Sequence, residues 1–267
     1  MKSIHPHPLI TLLTDFGTRD AYVASMKGVI FSLNPQAVVV DLSHDVPRHD
    51  IQAGALILAA AAPYFPPGTI HLAVVDPGVG GPRRGLAAHC RGHFWVGPDN
   101  GLFHLIFRQA PPVSIISLEN PAYFHFPISP TFHGRDIFAP VAAHLSLGVD
   151  LSRFGPSITD PVYLHWPEPS FGPEAIRGEI IYVDQFGNLI SNVRAAELSN
   201  WRGGHEITLK AGPLTIQGLA RTYTGVAAGK FLALVGSHGF LEIACAMGNA
   251  ARQLNAGVGW PLEIRHG

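Results

Sequence analysis

Apolar runs alternate with segments of helical spacing through the first third of the chain, and this order constrains the fold more than any other feature. In chain order the segments are residues 9–14, 21–33, 37–42, 50–62 and 70–75, with strands first, third and fifth. Asn34-Pro35 and Pro63 stop the two helices. A β-α-β-α-β order favours a parallel or mixed sheet flanked by helices, so an α/β domain is expected here.

The second part of the chain has a different pattern. Residues 155–173 contain five prolines, which predicts a linker between a first domain at residues 1–165 and a second at 174–267. Before the linker we expect a hairpin at 86–89 and 93–96 and helices at 100–108 and 136–147. After it, short strand-like runs predict a smaller all-β domain, either a barrel or a sandwich; they are residues 178–183, 190–193, 205–209, 214–216, 231–235, 240–244 and 262–264.

Composition excludes several classes of protein. Hydrophobic residues make up 47% of the 267 residues and charged residues 14%, with a net charge of −1. These values argue against disorder and against nucleic-acid binding through a broad basic surface, and they favour an oligomer. The two cysteines form no CxxC motif, and residues 1–8 carry no signal-peptide core. No run approaches the roughly 18 apolar residues of a membrane span, so we expect a soluble, cytoplasmic protein with no membrane partner.

The strand at 70–75 leads into Asp76-Pro77-Gly78-Val79-Gly80-Gly81-Pro82-Arg83. Gly/Pro loops at strand ends are common ligand sites, because glycine allows the backbone to approach a ligand closely. The segment is not the dinucleotide fingerprint, since Arg83 occupies the position of the third glycine. Its alternative interpretation is a solvated turn with an exposed Asp76–Arg83 ion pair.

Two further carboxylates and several histidines are candidates for chemistry. Asp15 follows the first strand, where a carboxylate can accept two hydrogen bonds from a vicinal diol. Asp20 is a candidate for an ammonium group or, equally, a helix N-cap. His133 has the side chain most often used to activate water near neutral pH. We expect no metal site, because His44 and His49 lie across a proline turn without a second ligand cluster.

Two turns of the second domain have alternative interpretations. Residues 184–188 fit a hairpin, but Phe186 could stack on a planar base whose edge Asn188 reads. Residues 236–239 fit a hairpin or a nest for a carboxylate.

Taken together, these motifs resemble the S-adenosylmethionine (SAM) hydrolase family, also called SAM hydroxide adenosyltransferases, which is similar to the fluorinases and chlorinases. The resemblance covers nearly the whole chain and rests on residues 13–17, 41–44, 75–80, 97–102, 131–136, 186–188 and 248–251. It implies an α/β domain followed by a β-barrel domain, in a homotrimer with active sites between subunits. The implied reaction splits SAM with water into adenosine and L-methionine, with no cofactor and no metal.

The resemblance also implies roles for individual residues. The family's catalytic Asp-Arg-His triad falls on Asp76, Arg83 and His133. The ribose contact falls on Asp15 and the methionine-amine contact on Asp20. The remaining substrate contacts implied are Asp184, Phe186, Asn188, Tyr223, Ser237, His238 and Met247.

Two other functions remain open. Halogenases of the related branch carry tyrosine at the triad aspartate, so Asp76 favours water over a halide as the nucleophile. A sensor that binds SAM or adenosine without turnover is the other alternative, although it would need neither Asp76 nor Arg83. His238 stands where the fluorinase has arginine, and Ala246 where the family often has asparagine; both bear on affinity more than on the type of reaction.

Overall fold

The computed structural model describes residues 8–267, which divide into two compact units. The first unit ends at Leu164 and the second begins at His165, so the division lies inside the proline-rich segment.

The described residues of the first unit, 8–164, contain six strands and four α-helices. In chain order these are β1 (Leu9–Thr14), α1 (Tyr22–Leu33), β2 (Val38–Ser43), α2 (Ile51–Ala61), β3 (Ile70–Val74), β4 (Gly85–Cys90), β5 (His93–Pro98), α3 (His104–Gln109), β6 (Ser114–Ser117) and α4 (Ala139–Ser146). The strands form one mixed sheet in the order β2-β1-β3-β5-β4-β6. Strands β2, β1, β3 and β5 run parallel, while β4 is antiparallel to β5 and β6. The α/β domain with a mixed sheet is confirmed.

Close packing in the centre of this sheet depends on one glycine. A Cβ on Gly97 would lie 2.2 Å from the carbonyl oxygen of Ala73, on the neighbouring strand β3. On one face, α1 and α4 pack together over a core that includes Leu12, Met26 and Phe138. Burying these apolar side chains is the main favourable term for the unit.

Several boundaries in the first unit differ from the prediction. The helix expected at 100–108 begins at His104, because residues 100–103 form turns after β5. A π-helical segment, Gly134–Phe138, precedes α4, so this helix begins at Ala139 rather than at 136. Strand β6 was not predicted; its four residues are too short for a clear period-2 pattern.

The second unit is an antiparallel, nearly closed, barrel-like sheet. Its strands are β7 (Ser170–Phe171), β8 (Ala175–Val183), β9 (Leu189–Arg194), β10 (Ile207–Ala211), β11 (Leu214–Gln217), β12 (Phe231–Val235), β13 (Phe240–Cys245) and β14 (Pro261–His266). The order is β11-β10-β14-β8-β9-β13-β12, with β7 paired to β8. The Ala220 N–H donates to the Ala233 carbonyl at 2.8 Å, which links the segment after β11 to edge strand β12. The expected all-β barrel is confirmed.

Two short helices of the second unit were not predicted. They are α5 (Ala195–Arg202), which ends at left-handed Gly203, and α6 (Ala250–Leu254), which is capped by the Asn249 side chain. Both connect strands, and both are too short for a clear helical period.

Candidate active site

Strands β1 and β3 bring two carboxylates to the same edge of the first sheet. The strands are parallel neighbours, and Thr14 pairs with Val74 in their register. Asp15 follows Thr14 directly, and Asp76 lies two residues beyond Val74. Carboxyl ends of parallel strands are where α/β proteins place ligands, so this edge is the candidate site.

Asp76 and Arg83 form a buried ion pair. Arg83 Nε donates to Asp76 Oδ1 at 2.9 Å and to Oδ2 at 3.0 Å, and Nη2 donates to Oδ2 as well. Only 4% of the Asp76 side chain and 12% of the Arg83 side chain are exposed. The guanidinium also lies 5.3 Å above the ring of Phe138. The expectation of an exposed Asp76–Arg83 ion pair is therefore wrong, although residues 77–82 form a turn that is largely exposed.

His133 joins this pair from the start of the π-helical segment that precedes α4, fifty residues further along the chain than Arg83. Arg83 Nη2 lies 2.8 Å from His133 Nδ1. The two loops approach closely at Gly80, where φ is +76° and a Cβ would lie 2.2 Å from the carbonyl oxygen of Pro130. Only glycine allows both this conformation and this contact. Asp76, Arg83 and His133, which come from two separate segments of the sequence, thus form one contiguous cluster, which we call the triad cluster.

Burial and charge keep the His133 ring neutral. Burial, reinforced by the Arg83 cation, lowers the pKa of His133, although the carboxylates of Asp76 and Asp136 act in the opposite direction. Asp136 itself is fully buried. Burial opposes its ionisation, but hydrogen bonds from Arg135 and from the Ser129 N–H outweigh that effect and lower the pKa of Asp136. Through the Ser129 N–H, Asp136 ties the π-helical segment that follows His133 to the loop that precedes it.

Asp15 is held by the loop that follows β2. Its Oδ2 accepts a hydrogen bond from the His49 N–H at 2.9 Å. His44 fixes the neighbouring backbone: its Nδ1 lies 2.9 Å from Thr14 Oγ1, and its carbonyl accepts from the Gly17 N–H at 2.7 Å. His44 and His49 therefore have structural roles: their contacts hold Asp15 and the residues beside it in place.

Asp20 is exposed, and no hydrogen bond or ion pair joins it to another residue within 8–267. Helix α1 has Ala21 at its N-cap and no side-chain cap, so the N-cap alternative for Asp20 is wrong.

In the second unit, a tight turn fixes three of the residues predicted to bind substrate. Asp184 Oδ1 accepts from the backbone N–H groups of Phe186 and Asn188, and Oδ2 accepts from the Asn188 side-chain amide, each at 2.9 Å. Asn188 is buried, whereas the Phe186 ring is exposed. At Gly187, φ is +81°, and a Cβ would lie 2.1 Å from Cγ of Asn249. The motif at 248–251 therefore supports the turn at 184–188.

A buried carboxylate that the sequence prediction missed joins two further candidates. Glu242 lies on β13 with a 1% exposed side chain; its Oε1 accepts from the Tyr223 hydroxyl at 2.5 Å, and its Oε2 lies 3.3 Å from His238 Nε2. Burial, followed by the hydrogen bond to Glu242, raises the pKa of Tyr223, and the charge of Asp184 adds to this effect. A glutamate inside the apolar run Phe240–Cys245 was the available signal.

The last two candidates are exposed. Ser237 lies on the turn between β12 and β13, and Met247 is 96% exposed with φ of +55°. Neither makes a side-chain hydrogen bond within residues 8–267.

Three observations concern the described part of the chain as a whole. Residues 8–267 contain no group of three or more His, Cys, Asp or Glu side chains placed to hold a metal ion. Cys90 and Cys245 are both free and buried. Within the same residues, every helix is too short or too polar to cross a membrane.

The protein therefore belongs to the class that joins an α/β unit, which carries the triad cluster at the carboxyl ends of its parallel strands, to a barrel-like β unit. Residues 10–155 match the family model of the SAM hydroxide adenosyltransferase N-terminal domain, and residues 178–263 match that of the C-terminal domain. The chain belongs to the SAM hydroxide adenosyltransferase family.

Individual relatives agree with this assignment. A Thermus thermophilus protein named (R)-S-adenosyl-L-methionine hydrolase is 38% identical over 265 residues, covering 96% of this chain and 98% of that protein. A fluorinase of Nocardia brasiliensis is more distant, at 24% identity with 97% of each chain covered. Among solved structures, an uncharacterized conserved protein from Thermotoga maritima matches with a TM-score of 0.90 at 34% identity, covering 96% of this chain and all of that one.

Proposed function

We propose that this protein hydrolyses S-adenosyl-L-methionine, with water or hydroxide attacking the ribose C5′ carbon to give adenosine and L-methionine. The observation that carries the proposal is the triad cluster, in which the buried Asp76–Arg83 pair contacts His133 at the edge of the sheet. The relatives named as hydrolases of this substrate support it.

The chemistry of the substrate fits this cluster. The sulfonium leaves as a neutral thioether, so the leaving group needs no proton and no general acid. The site can therefore use its ionisable groups on the nucleophile. Arg83, which is always protonated, stabilises negative charge on the attacking oxygen, and burial strengthens that interaction.

The remaining contacts position the substrate. We assign the ribose hydroxyls to Asp15 and the ammonium group to Asp20, which is exposed and thus accessible to a ligand. In the second unit, the exposed Phe186 ring and Tyr223 serve as walls for adenine, and Asn188 reads its edge. Other contacts proposed there are Asp184, Ser237, His238 and Met247.

The decisive experiment is incubation of the purified protein with S-adenosylmethionine in H₂¹⁸O, followed by mass spectrometry. We expect ¹⁸O in the 5′-hydroxyl of adenosine, together with an equal amount of methionine. A chloride- or fluoride-dependent 5′-halo product would identify a halogenase. Intact bound substrate without products would identify a sensor.

We also propose a homotrimer in which the triad cluster of one subunit faces Asn188 and Ser237 of the next. The low fraction of charged residues in the sequence, 14%, supports an oligomer. Light scattering should give the mass of three chains, and mixed trimers of Asp76→Asn and Asn188→Ala subunits should regain activity that neither parent has. A monomer, or mixed trimers without recovery, would contradict the shared site.

Gly80 is expected to control turnover through the approach of the two loops. In Gly80→Ala the added methyl would collide with the Pro130 carbonyl and separate Arg83 from His133. We expect kcat for adenosine formation to fall about 10²-fold, the usual cost of a displacement near 1 Å. Gly68→Ala is the control, because Gly68 has φ of +88° but no atom within 4 Å of an added Cβ. Equal kcat values for the two variants would contradict this role.

A further inference from the structure

Arg83 determines which nitrogen of His133 carries a proton. A guanidinium has only N–H donors and no acceptor, and it stays charged at any pH a protein tolerates. Because Arg83 Nη2 lies 2.8 Å from His133 Nδ1, that nitrogen must be the acceptor. A neutral imidazole carries one proton, so the proton is on Nε2. An imidazolium would instead direct an N–H at the guanidinium.

We propose that His133 serves the reaction as a hydrogen-bond donor through Nε2–H, and that it does not accept the proton of the attacking water. This assignment rests on the proposed hydrolysis for its substrate, but the tautomer itself rests only on the contact with Arg83.

The charged groups around the ring agree with this assignment. Arg83 and Asp76 face it from the loop after β3, and Asp136, paired with Arg135, faces it from the π-helical segment that follows His133. Burial and Arg83 together lower the pKa of His133, so the neutral ring prevails at neutral pH. Of the two nitrogens, Nδ1 is occupied by Arg83, which leaves Nε2–H for the nucleophile.

The reaction balances without a base when hydroxide attacks. The oxygen–C5′ bond forms, the C5′–sulfur bond breaks, and its electron pair stays on sulfur. The charges of hydroxide and sulfonium cancel, and no proton remains to be removed. His133 Nε2–H then holds the hydroxide oxygen while Arg83 supplies positive charge.

The tautomer is tested directly by ¹⁵N NMR of the free enzyme. With His133 assigned by comparison with a His133→Gln sample, the ring nitrogens should report the Nε2–H tautomer from pH 6.5 to 8. The Nδ1–H tautomer or an imidazolium at pH 7 would overturn the proposal. Because no substrate is present, this outcome is independent of whether the protein hydrolyses SAM.

Two variants test whether Arg83 is what sets the tautomer of His133. Arg83→Met removes the donor to Nδ1, so both tautomers should appear in the spectrum. Arg84→Lys is the matched control: Arg84 is the next residue but pairs with Asp99 and Asp160, so the His133 signals should keep the Nε2–H pattern. An unchanged tautomer in a folded Arg83→Met protein would overturn the role given to Arg83.

The role in turnover is tested by two replacements of His133. Gln offers an N–H donor at a similar reach but is no base at neutral pH, whereas Ala offers neither. We expect kcat of His133→Gln to exceed that of His133→Ala at least tenfold, and kcat of the native enzyme to keep rising above pH 7. Equal losses in the two variants, with a flat profile above pH 6.5, would show that His133 acts as the base.

Discussion

Asp76→Asn should lower kcat for adenosine formation by about 10³-fold while leaving substrate affinity within a few fold. The amide keeps the shape of the carboxylate but removes the charge that anchors Arg83 through Nε and Nη2. Without that anchor the guanidinium is free to leave the position from which it contacts His133. Adenosine formation measured by chromatography, with calorimetric binding of S-adenosylmethionine, separates the two effects.

Asp99→Asn is the matched control for this substitution. Asp99 is also a buried carboxylate paired with an arginine: Arg84 Nη2 lies 2.8 Å from its Oδ2. Its backbone N–H bonds the Arg84 carbonyl, so it belongs to the same part of the sheet as Asp76. Both variants lose one buried charge, and both should lose some stability. If Asp99→Asn lowered kcat as strongly, the effect of Asp76→Asn would be one of stability rather than of chemistry.

The free energy of unfolding should fall by about 2 kcal/mol between pH 7 and pH 5 because of His71 alone. Burial, with a smaller contribution from His93, lowers the pKa of His71 from 6.5 to about 3. The unfolded chain therefore binds a proton below pH 6.5 that the folded protein does not accept until about pH 3. Stability from the neutral ring is fully present above pH 6.5 and is lost as the pH falls. Urea denaturation at a series of pH values measures this slope.

His71→Phe should remove most of that slope. The ring is fully buried and stacks on Trp95 with centroids 4.4 Å apart, a contact that Phe retains. The variant loses the 2.7 Å hydrogen bond between His71 Nδ1 and Thr11 Oγ1, so its stability at pH 7 should fall. Gln in place of the exposed His205 is the control and should leave the slope unchanged. A slope that persisted in His71→Phe would assign the acid sensitivity to the other histidines.

Local patterns predicted the first sheet well, because strand and helix periods are properties of short segments. The strand expected at 9–14 is β1, and the strand expected at 70–75 ends one residue earlier as β3. The predicted ends of helices were wrong where a tertiary contact changed the local backbone geometry. Asn100, for example, turns the chain by donating to the Val75 carbonyl at 2.8 Å, so α3 begins only at His104.

The residues of the candidate site likewise fall into those that local sequence patterns could place and those that depend on tertiary contacts. Asp15 and Asp76 could be placed from the sequence, since each follows an apolar strand and parallel neighbours end at one edge of the sheet. Glu242 could not, because a single glutamate in an apolar strand does not say which side chains it meets. Its partners, Tyr223 and His238, come from two other segments.

The sequence by itself determined the β-α-β-α-β order at the start of the chain, an α/β domain followed by an all-β domain, and the residues at the strand ends, all of which follow from local periodicity and turn chemistry. It did not show the short elements β6, α5 and α6. Only the tertiary structure decided that Arg83 is buried and that it donates to His133. That contact joins residues fifty positions apart and depends on how closely Gly80 approaches Pro130. Such distances are set by packing, which no short segment specifies.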